Sequence, residues 1–310
     1  MQFQKKLDHI IEKFKNGEKY ALAQIISLVE NNINYAWDII EQLPKPKKET
    51  QIIGITGSPG AGKSTTLSKM VNEWSKKNLK IGILAVDPSS PFSGGAFLGD
   101  RIRMRNLSGK SNIYIRSVAS RGSVGGLCDS IYDIVDVMKS FGFDKIIIET
   151  VGAGQSEIEV IFVADTILLI LSPNTGDEIQ MFKAGIMEIA DAYVVNKIDL
   201  PEADKFILQL KNTLSLESET KSKVILPISA IRNDGIKETI NWIDNHFNEI
   251  KNNGEYDFRM QRRMKRRVRS SIIRNIDSII ESSNFDFNNM PDLKAKIMKY
   301  ICEVNNNEKN

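Results

Sequence analysis

Residues 52–65 read IIGITGSPGAGKST, and this stretch decides the fold. Its apolar first half predicts a buried strand, and its second half has the spacing GxxxxGK[ST] before a helix predicted to begin near Thr65. A glycine-rich loop between a strand and a helix turns backbone N–H groups inward, where they can bind phosphate oxygens. Lys63 adds a positive charge for the outer phosphates, and the Ser64 hydroxyl can ligate Mg²⁺. The residues that fit the pattern are Gly57, Ser58, Pro59, Gly60, Ala61, Gly62, Lys63 and Ser64.

Short apolar runs recur along the chain and alternate with amphipathic stretches of helix length. The runs are Ile52–Thr56, Ile81–Val86, Ile146–Glu149, Ile167–Leu171, Tyr193–Asn196 and Ile225–Ser229. Continuous runs of Ile, Val and Leu are typical of parallel strands that are buried on both faces. The sequence therefore predicts an α/β fold with a doubly wound, mostly parallel sheet.

The tetrad NKID, Asn196–Asp199, follows one of these predicted strands. The Asp199 carboxylate can accept hydrogen bonds from N1–H and the 2-amino group of guanine, and adenine has neither donor at these positions. We expect Asn196 to brace the loop, the Lys197 stem to cover the base, and a backbone N–H near Ala230 to meet guanine O6. The string alone often marks the solvated start of a helix. At a strand end after a phosphate loop, it indicates selection of GTP over ATP.

Three carboxylates are expected near the phosphate loop. Asp87 and Glu149 end predicted strands, and Asp100 lies in a glycine-rich stretch. Carboxylates at the carboxyl ends of parallel strands can hold Mg²⁺ directly or through its waters, although each of these could instead cap a helix. The predicted cofactors are GTP or GDP with Mg²⁺, and the predicted metal ligands are Ser64, Asp87, Asp100 and Glu149.

The segment after Glu149 is predicted to sense the γ-phosphate. Gly152 is expected to donate its N–H to this phosphate, so that loss of the phosphate would release the residues that follow. Small GTPases place a water-orienting glutamine directly after this glycine, but Ala153 stands there and Gln155 is the nearest glutamine. We therefore expect slow intrinsic turnover, with Gln155 either aiding hydrolysis or bracing the next helix. The predicted catalytic residues are Lys63, Asp87, Glu149 and Gln155.

A second Gly- and Ser-rich stretch, Ser117–Gly126, is predicted to be a flexible loop. The loop could lie near the phosphates or a partner, and its Arg121 could contact phosphate.

The regions outside the core are predicted to be helical. Residues 1–48 form an N-terminal helical extension, 49–250 the nucleotide-binding domain, and 251–310 a C-terminal helical extension. Seven basic residues are crowded into 259–269, but Met260, Met264 and Val268 recur among them at helical spacing. This pattern favours a helix with one packed face and solvated arginines over a nucleic-acid or membrane site.

Composition excludes several other classes of protein. The net charge of +3 gives no global field of the kind that defines a nucleic-acid binder. Neither a 20-residue apolar run nor a signal pattern opens the chain, so we expect a cytoplasmic protein without a membrane partner. Cys128 and Cys302 are far apart, and His9 and His246 lie near no motif, so neither a disulfide framework nor a zinc site is indicated.

Several motifs together resemble one family closely. They are VDPSSPFSGGAFLGDRIRM at 86–104, SRGSVGGL at 120–127, ETVGAGQSE at 149–157, GDEIQMFKAGIMEIAD at 176–191, and NKID. The chain resembles the MeaB/ArgK family of metallochaperone-type GTPases from about Ala21 through the arginine-rich helix near Arg269. The resemblance implies a SIMIBI-like P-loop NTPase fold with helical extensions.

The same resemblance implies function and site residues. Members are homodimers that escort an adenosylcobalamin-dependent acyl-CoA mutase, and they use GTP to gate cofactor loading and protect the mutase. By position, Gly57 to Thr65 would hold the phosphates, and Asp199 with Ser229, Ala230 and Ile231 would hold the base. The segment Asn174–Lys183 would sense the partner through Gln180 and Lys183, and the C-terminal extension would be a dimerisation arm.

Three alternatives remain open at this point. A kinase linked to amino-acid transport would need an acceptor-side base, and the sequence offers no evident one. A GTPase that inserts nickel would usually carry His-rich or Cys/His clusters. A non-enzymatic reading would use the basic run at 259–269 to bind nucleic acid or an anionic membrane.

Overall fold

The computed structural model describes residues 2–31, 36–87, 107, 109–119, 130–150, 162–173, 186–217, 223–282, 294–295 and 298. Its strands are β1 (Gln51–Gly57), β2 (Ile81–Asp87), β3 (Ile113–Ala119), β4 (Lys145–Thr150), β5 (Thr166–Leu171), β6 (Ala192–Val195) and β7 (Val224–Pro227). Its helices are α1 (Gln2–Lys15), α2 (Lys19–Asn31), α3 (Ala36–Glu41), α4 (Lys63–Lys76), α5 (Ile131–Phe141), α6 (Ile186–Ile189), α7 (Ala203–Glu217), α8 (Ile236–Asn252) and α9 (Glu255–Ser282).

The strands form one seven-stranded sheet in the order β3-β2-β4-β1-β5-β6-β7, and every ladder in it is parallel. The predicted doubly wound α/β class is confirmed. Strand β1 lies at the centre, between β4 and β5. The glycine-rich loop that leaves β1 therefore emerges in the middle of the carboxyl edge of the sheet, where ligands bind in open parallel sheets.

Strand β3 corrects one prediction. Residues 117–119, expected to begin a flexible loop, lie in this strand instead and pair with β2. The strand was missed because Arg116 and Ser117 interrupt its apolar pattern. An edge strand accepts such residues, and Arg116 forms an ion pair of 2.7 Å with Glu30 of α2. At the other edge, β7 ends at Pro227, two residues before the predicted end.

Helices cover both faces of the sheet. On one face, α4 and α8 bury Leu67, Trp74 and Ile243 against strands β1, β2 and β4 to β6. On the other face, α5 packs in one apolar cluster with the N-terminal helices and with strand residues such as Ile52 and Ile146. A third cluster joins α6 and α7 to β5 and β6. Burying each large aliphatic side chain contributes roughly 1.5–3 kcal/mol to the stability of the folded chain. These contacts therefore hold the strands and helices that carry the loops in place.

The chain divides into two compact units, Met1–Arg259 and Met260–Asn310. The first unit contains the sheet together with helices α1 to α8, so the N-terminal helices belong to the same unit as the nucleotide loop. The second unit contains most of α9. The expectation of solvated arginines on this helix is wrong for Arg263 and Arg267, which are buried, whereas the Met260, Met264 and Val268 side chains are exposed. Within the described residues, no helix is long and apolar enough to cross a membrane.

Candidate nucleotide site

The glycine-rich loop joins β1 to α4 at the carboxyl edge of the sheet. Gly57 has φ +145, and a Cβ there would lie 2.1 Å from the Ile170 carbonyl oxygen of β5. Gly62 has φ +93 and forms the N-cap of α4, with the Thr66 N–H donating to its carbonyl at 2.9 Å. Only glycine accepts both the backbone conformation and the close approach. The loop thus has the shape that a phosphate-binding loop requires.

Lys63 is buried in the first turn of α4, which begins two residues before the predicted start. Its Nζ donates to the carbonyl oxygens of Gly57 at 2.6 Å and Ser58 at 3.0 Å. Burial of an ammonium is costly unless it is hydrogen-bonded, and these two carbonyls provide the bonds. The charge is therefore fixed against the loop that is predicted to bind phosphate.

Ser64 and Glu149 meet beside this loop. The Ser64 hydroxyl donates to Glu149 Oε1 at 2.7 Å, and Glu149 is 3% exposed at the end of β4. A hydroxyl and a carboxylate are the hard oxygen donors that Mg²⁺ prefers, so this pair fits the predicted metal. Asp87 ends β2. Asp100, Gly152 and Gln155, and likewise Arg121 and Asn174–Lys183, lie outside the described residues.

The NKID loop is tied directly to the glycine-rich loop. Asn196 Nδ2 donates to the Ala61 carbonyl at 2.9 Å, and Lys197 Nζ donates to the Gly60 carbonyl at 2.8 Å. Lys197 has φ +65, an uncommon left-handed conformation that sets the direction of its side chain. Asn196 Oδ1 also accepts the Ala230 N–H at 3.1 Å, so this N–H is engaged within the protein. Asn196 thus braces three segments at once.

Asp199 is held by the loop that follows β7. Ser229 Oγ donates to Asp199 Oδ1 at 2.6 Å. This hydrogen bond, followed by one from the Asp199 backbone, lowers the pKa of the carboxyl, so Asp199 is an ionised acceptor at neutral pH. Ile231, also predicted to hold the base, is 76% exposed in the same loop.

The turn that closes the Ser229 loop was not predicted as part of the site. Ser229 and Asp234 exchange two backbone hydrogen bonds of 3.1 Å in an isolated antiparallel bridge. Asn233 and Gly235 adopt positive φ, and a Cβ at Gly235 would lie 2.2 Å from the Pro227 carbonyl oxygen. The sequence Asn-Asp-Gly at 233–235 is the turn signal that could have identified this support for Ser229.

Replacing Gly62 with alanine should weaken binding of GDP by about tenfold or more, because the new Cβ would lie 2.2 Å from Asn196 Nδ2 and displace the bracing amide. Isothermal titration calorimetry measures the effect. Gly142→Ala is the matched control, since Gly142 also has positive φ but a Cβ there would meet nothing within 4 Å. Equal GDP affinities of the two variants would contradict the bracing role of Asn196.

A glycine-rich loop between the central strand of a parallel sheet and a helix, with an Asn-Lys-x-Asp loop bonded to it, defines a P-loop nucleotide-binding protein. The family described as "Methylmalonyl Co-A mutase-associated GTPase MeaB" matches residues 22–284. The chain belongs to this family, whose members are named as GTPases.

Individual relatives agree with this assignment. A putative GTPase of Pyrococcus abyssi is 40% identical over 282 residues, 89% of this chain and 87% of the relative. The GTPase ArgK of Escherichia coli is 37% identical over 193 residues, 61% of this chain and 58% of ArgK. A crystal structure described as a LAO/AO transport system kinase has the same fold, with a TM-score of 0.70, 23% identity, and coverage of 97% of this chain and 92% of that one.

Proposed function

We propose that this chain binds GTP with Mg²⁺, hydrolyses it slowly, and uses the cycle to gate adenosylcobalamin loading into an acyl-CoA mutase and to protect that mutase. The family match over residues 22–284, to GTPases described as associated with methylmalonyl-CoA mutase, carries the proposal. Guanine selection rests on the ionised Asp199 carboxylate that Ser229 holds in place. A cytoplasmic location is part of the same proposal.

The nucleotide would be held from both ends. The N–H groups of residues 57–65 would bind the phosphates, and Lys63 would leave its two carbonyl partners to reach the outer phosphates. Asp199 would accept from N1–H and the 2-amino group of guanine, and the Lys197 stem would cover the base. Because Asn196 joins the two loops, base and phosphate binding would stabilise the same arrangement.

Ser64 and Glu149 would hold Mg²⁺, with Asp87 and Asp100 as further ligands. The ion would neutralise charge on the phosphate oxygens. Glu149 is suited to this role, because the Ser64 hydroxyl donates to its carboxylate at 2.7 Å. Gly152 would donate to the γ-phosphate. Gln155 would orient the attacking water, two positions later than in small GTPases, which is the reason for slow turnover.

Helix α9 carries a row of exposed apolar side chains that supports a homodimer. Met260, Met264, Val268 and Ile272 recur at every fourth position, and each is more than 40% exposed. Residues spaced by four lie on one side of a helix. A second copy of the chain would offer an equivalent row, so the proposed dimer is formed by self-complementary packing of this helix.

Replacing both Met264 and Val268 with glutamate should convert the dimer to a monomer, because two buried charges would oppose the packing of the helices. Light scattering coupled to size-exclusion chromatography measures the mass. Lys265→Glu is the control, since Lys265 is exposed on the same helix but lies off the apolar row. A monomeric native protein would contradict the dimer assignment.

The proposed function is tested by calorimetry with GTP, GDP and ATP in the presence of Mg²⁺, and by turnover with and without a cobalamin-dependent acyl-CoA mutase. We expect guanine-selective binding, release of GDP and phosphate, and faster turnover with the mutase. If turnover is guanine-selective but the mutase does not change its rate, the chaperone role is contradicted and the GTPase activity stands. Transfer of phosphate to a protein or small-molecule acceptor would favour the kinase instead.

A further inference from the structure

A largely buried ion pair lies at the amino edge of the sheet, opposite the nucleotide loops. Arg259 Nη1 and Nη2 donate to Asp191 Oδ2 and Oδ1, both at 2.8 Å, in a bidentate pair. Arg259 Nη1 also donates to the Asp165 carbonyl at 2.7 Å, and its Nε donates to Glu255 at 3.0 Å. The two side chains are 13% and 12% exposed. We call this pair the Asp191–Arg259 clasp.

The clasp binds the beginnings of three strands. Asp191 exchanges backbone and side-chain hydrogen bonds with Ile167 of β5: its Oδ2 accepts the Ile167 N–H at 2.8 Å, and its N–H donates to the Ile167 carbonyl at 3.0 Å. Asp165 Oδ2 accepts the N–H of Ile52 in β1 at 2.8 Å. His246 of α8 lies beside them, with Nδ1 3.1 Å from Thr166 Oγ1 and Nε2 3.6 Å from Asp191 Oδ1.

The charge of the clasp is stable at neutral pH. Burial by itself would raise the pKa of Asp191, but the hydrogen bonds from Arg259, together with the nearby His246 ring, outweigh this and lower the pKa below its usual range. Arg259 likewise keeps its charge despite its burial. A bidentate, desolvated pair of this kind has a narrow geometry, so it fixes the position of the backbone on either side of it.

Asp191 stands at the head of the strand that leads to the base-binding loop. Strand β6 begins at Ala192 and has four residues, all buried, and Asn196 follows directly. The ladder continues beyond the strand: the Asn196 N–H donates to the Leu171 carbonyl at 2.8 Å, and the Ile198 N–H donates to the Ile228 carbonyl at 3.1 Å. A displacement of Asp191 would therefore also displace β6, which is short and hydrogen-bonded along its length, and the NKID loop that follows it.

The same residue also follows the segment expected to sense a partner. Helix α6 ends at Ile189, and Lys223 Nζ donates to the Glu188 carbonyl at 2.7 Å and the Ala190 carbonyl at 3.2 Å. The Tyr193 hydroxyl donates to the Met187 carbonyl. The carbonyl groups of Met187, Glu188 and Ala190 are thus each held by a side chain. On the other side of the clasp, Arg259 is the last residue of the first compact unit.

We propose that Arg259 is a positioning residue for guanine-nucleotide release: through Asp191 it holds β6 and the NKID loop in place, and loosening it speeds the dissociation of GDP. This inference rests on the proposed function for its ligand. The clasp attaches the beginning of α9, within the first compact unit, to Asp191, the residue directly before the strand that leads to the base-binding loop. A partner that displaces the first turn of α9 would act on nucleotide release by this route.

The test measures dissociation of a fluorescent GDP analogue by chase with unlabelled GDP. Arg259→Gln and Asp191→Asn should each raise the dissociation rate about tenfold and leave the association rate within about twofold. Arg259→Lys keeps the charge but loses the bidentate guanidinium geometry, so its dissociation rate should lie between the rates of these variants and that of the native protein. The double variant should dissociate GDP no faster than either single variant, because both substitutions remove the same ion pair. Arg269→Gln is the control, since Arg269 is exposed on the same helix.

For the same variants we would also measure thermal unfolding, and hydrogen exchange of residues 192–199 in the nucleotide-free protein. Native dissociation rates in both Arg259→Gln and Asp191→Asn, with or without a lower melting temperature, would overturn the inference and leave the clasp a purely structural pair. If Arg259→Gln does not fold, the dissociation rates of Arg259→Lys and Asp191→Asn test the inference instead. If the native protein fails to select guanine, the proposed function fails separately. Exchange of residues 192–199 that is no faster in Arg259→Gln than in Arg269→Gln would then refute the positioning role.

Discussion

Replacing Asp199 with alanine should lower the affinity for GTP and GDP by about 100- to 1000-fold and leave binding of ATP unchanged, because two charge-assisted hydrogen bonds to guanine are lost. Asp199 is fitted for this role by the hydrogen bond from Ser229, which orients one oxygen and keeps the carboxyl ionised. Calorimetry with each nucleotide in the presence of Mg²⁺ measures the change.

Two further variants make this prediction specific. Asp204→Ala removes an exposed carboxylate in the first turn of α7 and should leave affinity unchanged. Asp199→Asn should transfer preference toward xanthine nucleotides, because the asparagine amide can donate to the carbonyl that xanthine carries in place of the 2-amino group. Guanine selectivity that survives Asp199→Ala would break the assignment of the base pocket and bring the kinase alternative forward.

Replacing Lys63 with alanine should reduce kcat/KM for GTP by about 100- to 1000-fold, the usual cost of removing a preorganised donor from a developing charge. The ammonium is buried and is already held at the loop by Gly57 and Ser58. A colorimetric phosphate assay measures turnover. Lys69→Ala, on the same helix, should retain native turnover.

Binding of guanosine, which has no phosphate, distinguishes the effect of Lys63→Ala on the phosphates from the effect of Asp199→Ala on the base. Lys63→Ala should bind guanosine as the native protein does, whereas Asp199→Ala should lose that binding as well. If Lys63→Ala loses affinity for guanosine and GTP equally, then the lysine supports the loop as a whole and does not act on the phosphates. Its two carbonyl partners would be the reason for such an outcome.

The central strand, its loop and the NKID tetrad could be predicted because their signals are local. A continuous apolar run, glycines at fixed spacing and a short polar string each lie within a few residues of one another. The hydrogen bond between Ser229 and Asp199 was not predicted: the resemblance placed both residues at the base, and only the structure shows that one holds the other. The family's fold was accordingly predictable, and the assignment to it is confirmed.

Features that depend on distant residues were not predictable from the same signals. Asp191 and Arg259 are 68 positions apart, and nothing in the arginine-rich run distinguishes Arg259 from its neighbours. Strand β3 was missed because Arg116 and Ser117 interrupt its apolar pattern, and the partner of Arg116, Glu30, belongs to a helix 86 positions earlier. In both places a charge is satisfied by a partner that only the folded chain brings near.

The packing of the N-terminal helices has a consequence for how this protein can be divided. Leu22, Ile25 and Ile26 of α2 share one apolar cluster with α5 and with Ile52, Ile146 and Ile148 of the sheet. A fragment cut between α3 and β1 would contain every nucleotide-binding motif, yet it would leave that apolar surface open to water and prone to aggregate. The smallest soluble fragment therefore has to begin before α2, well upstream of the glycine-rich loop.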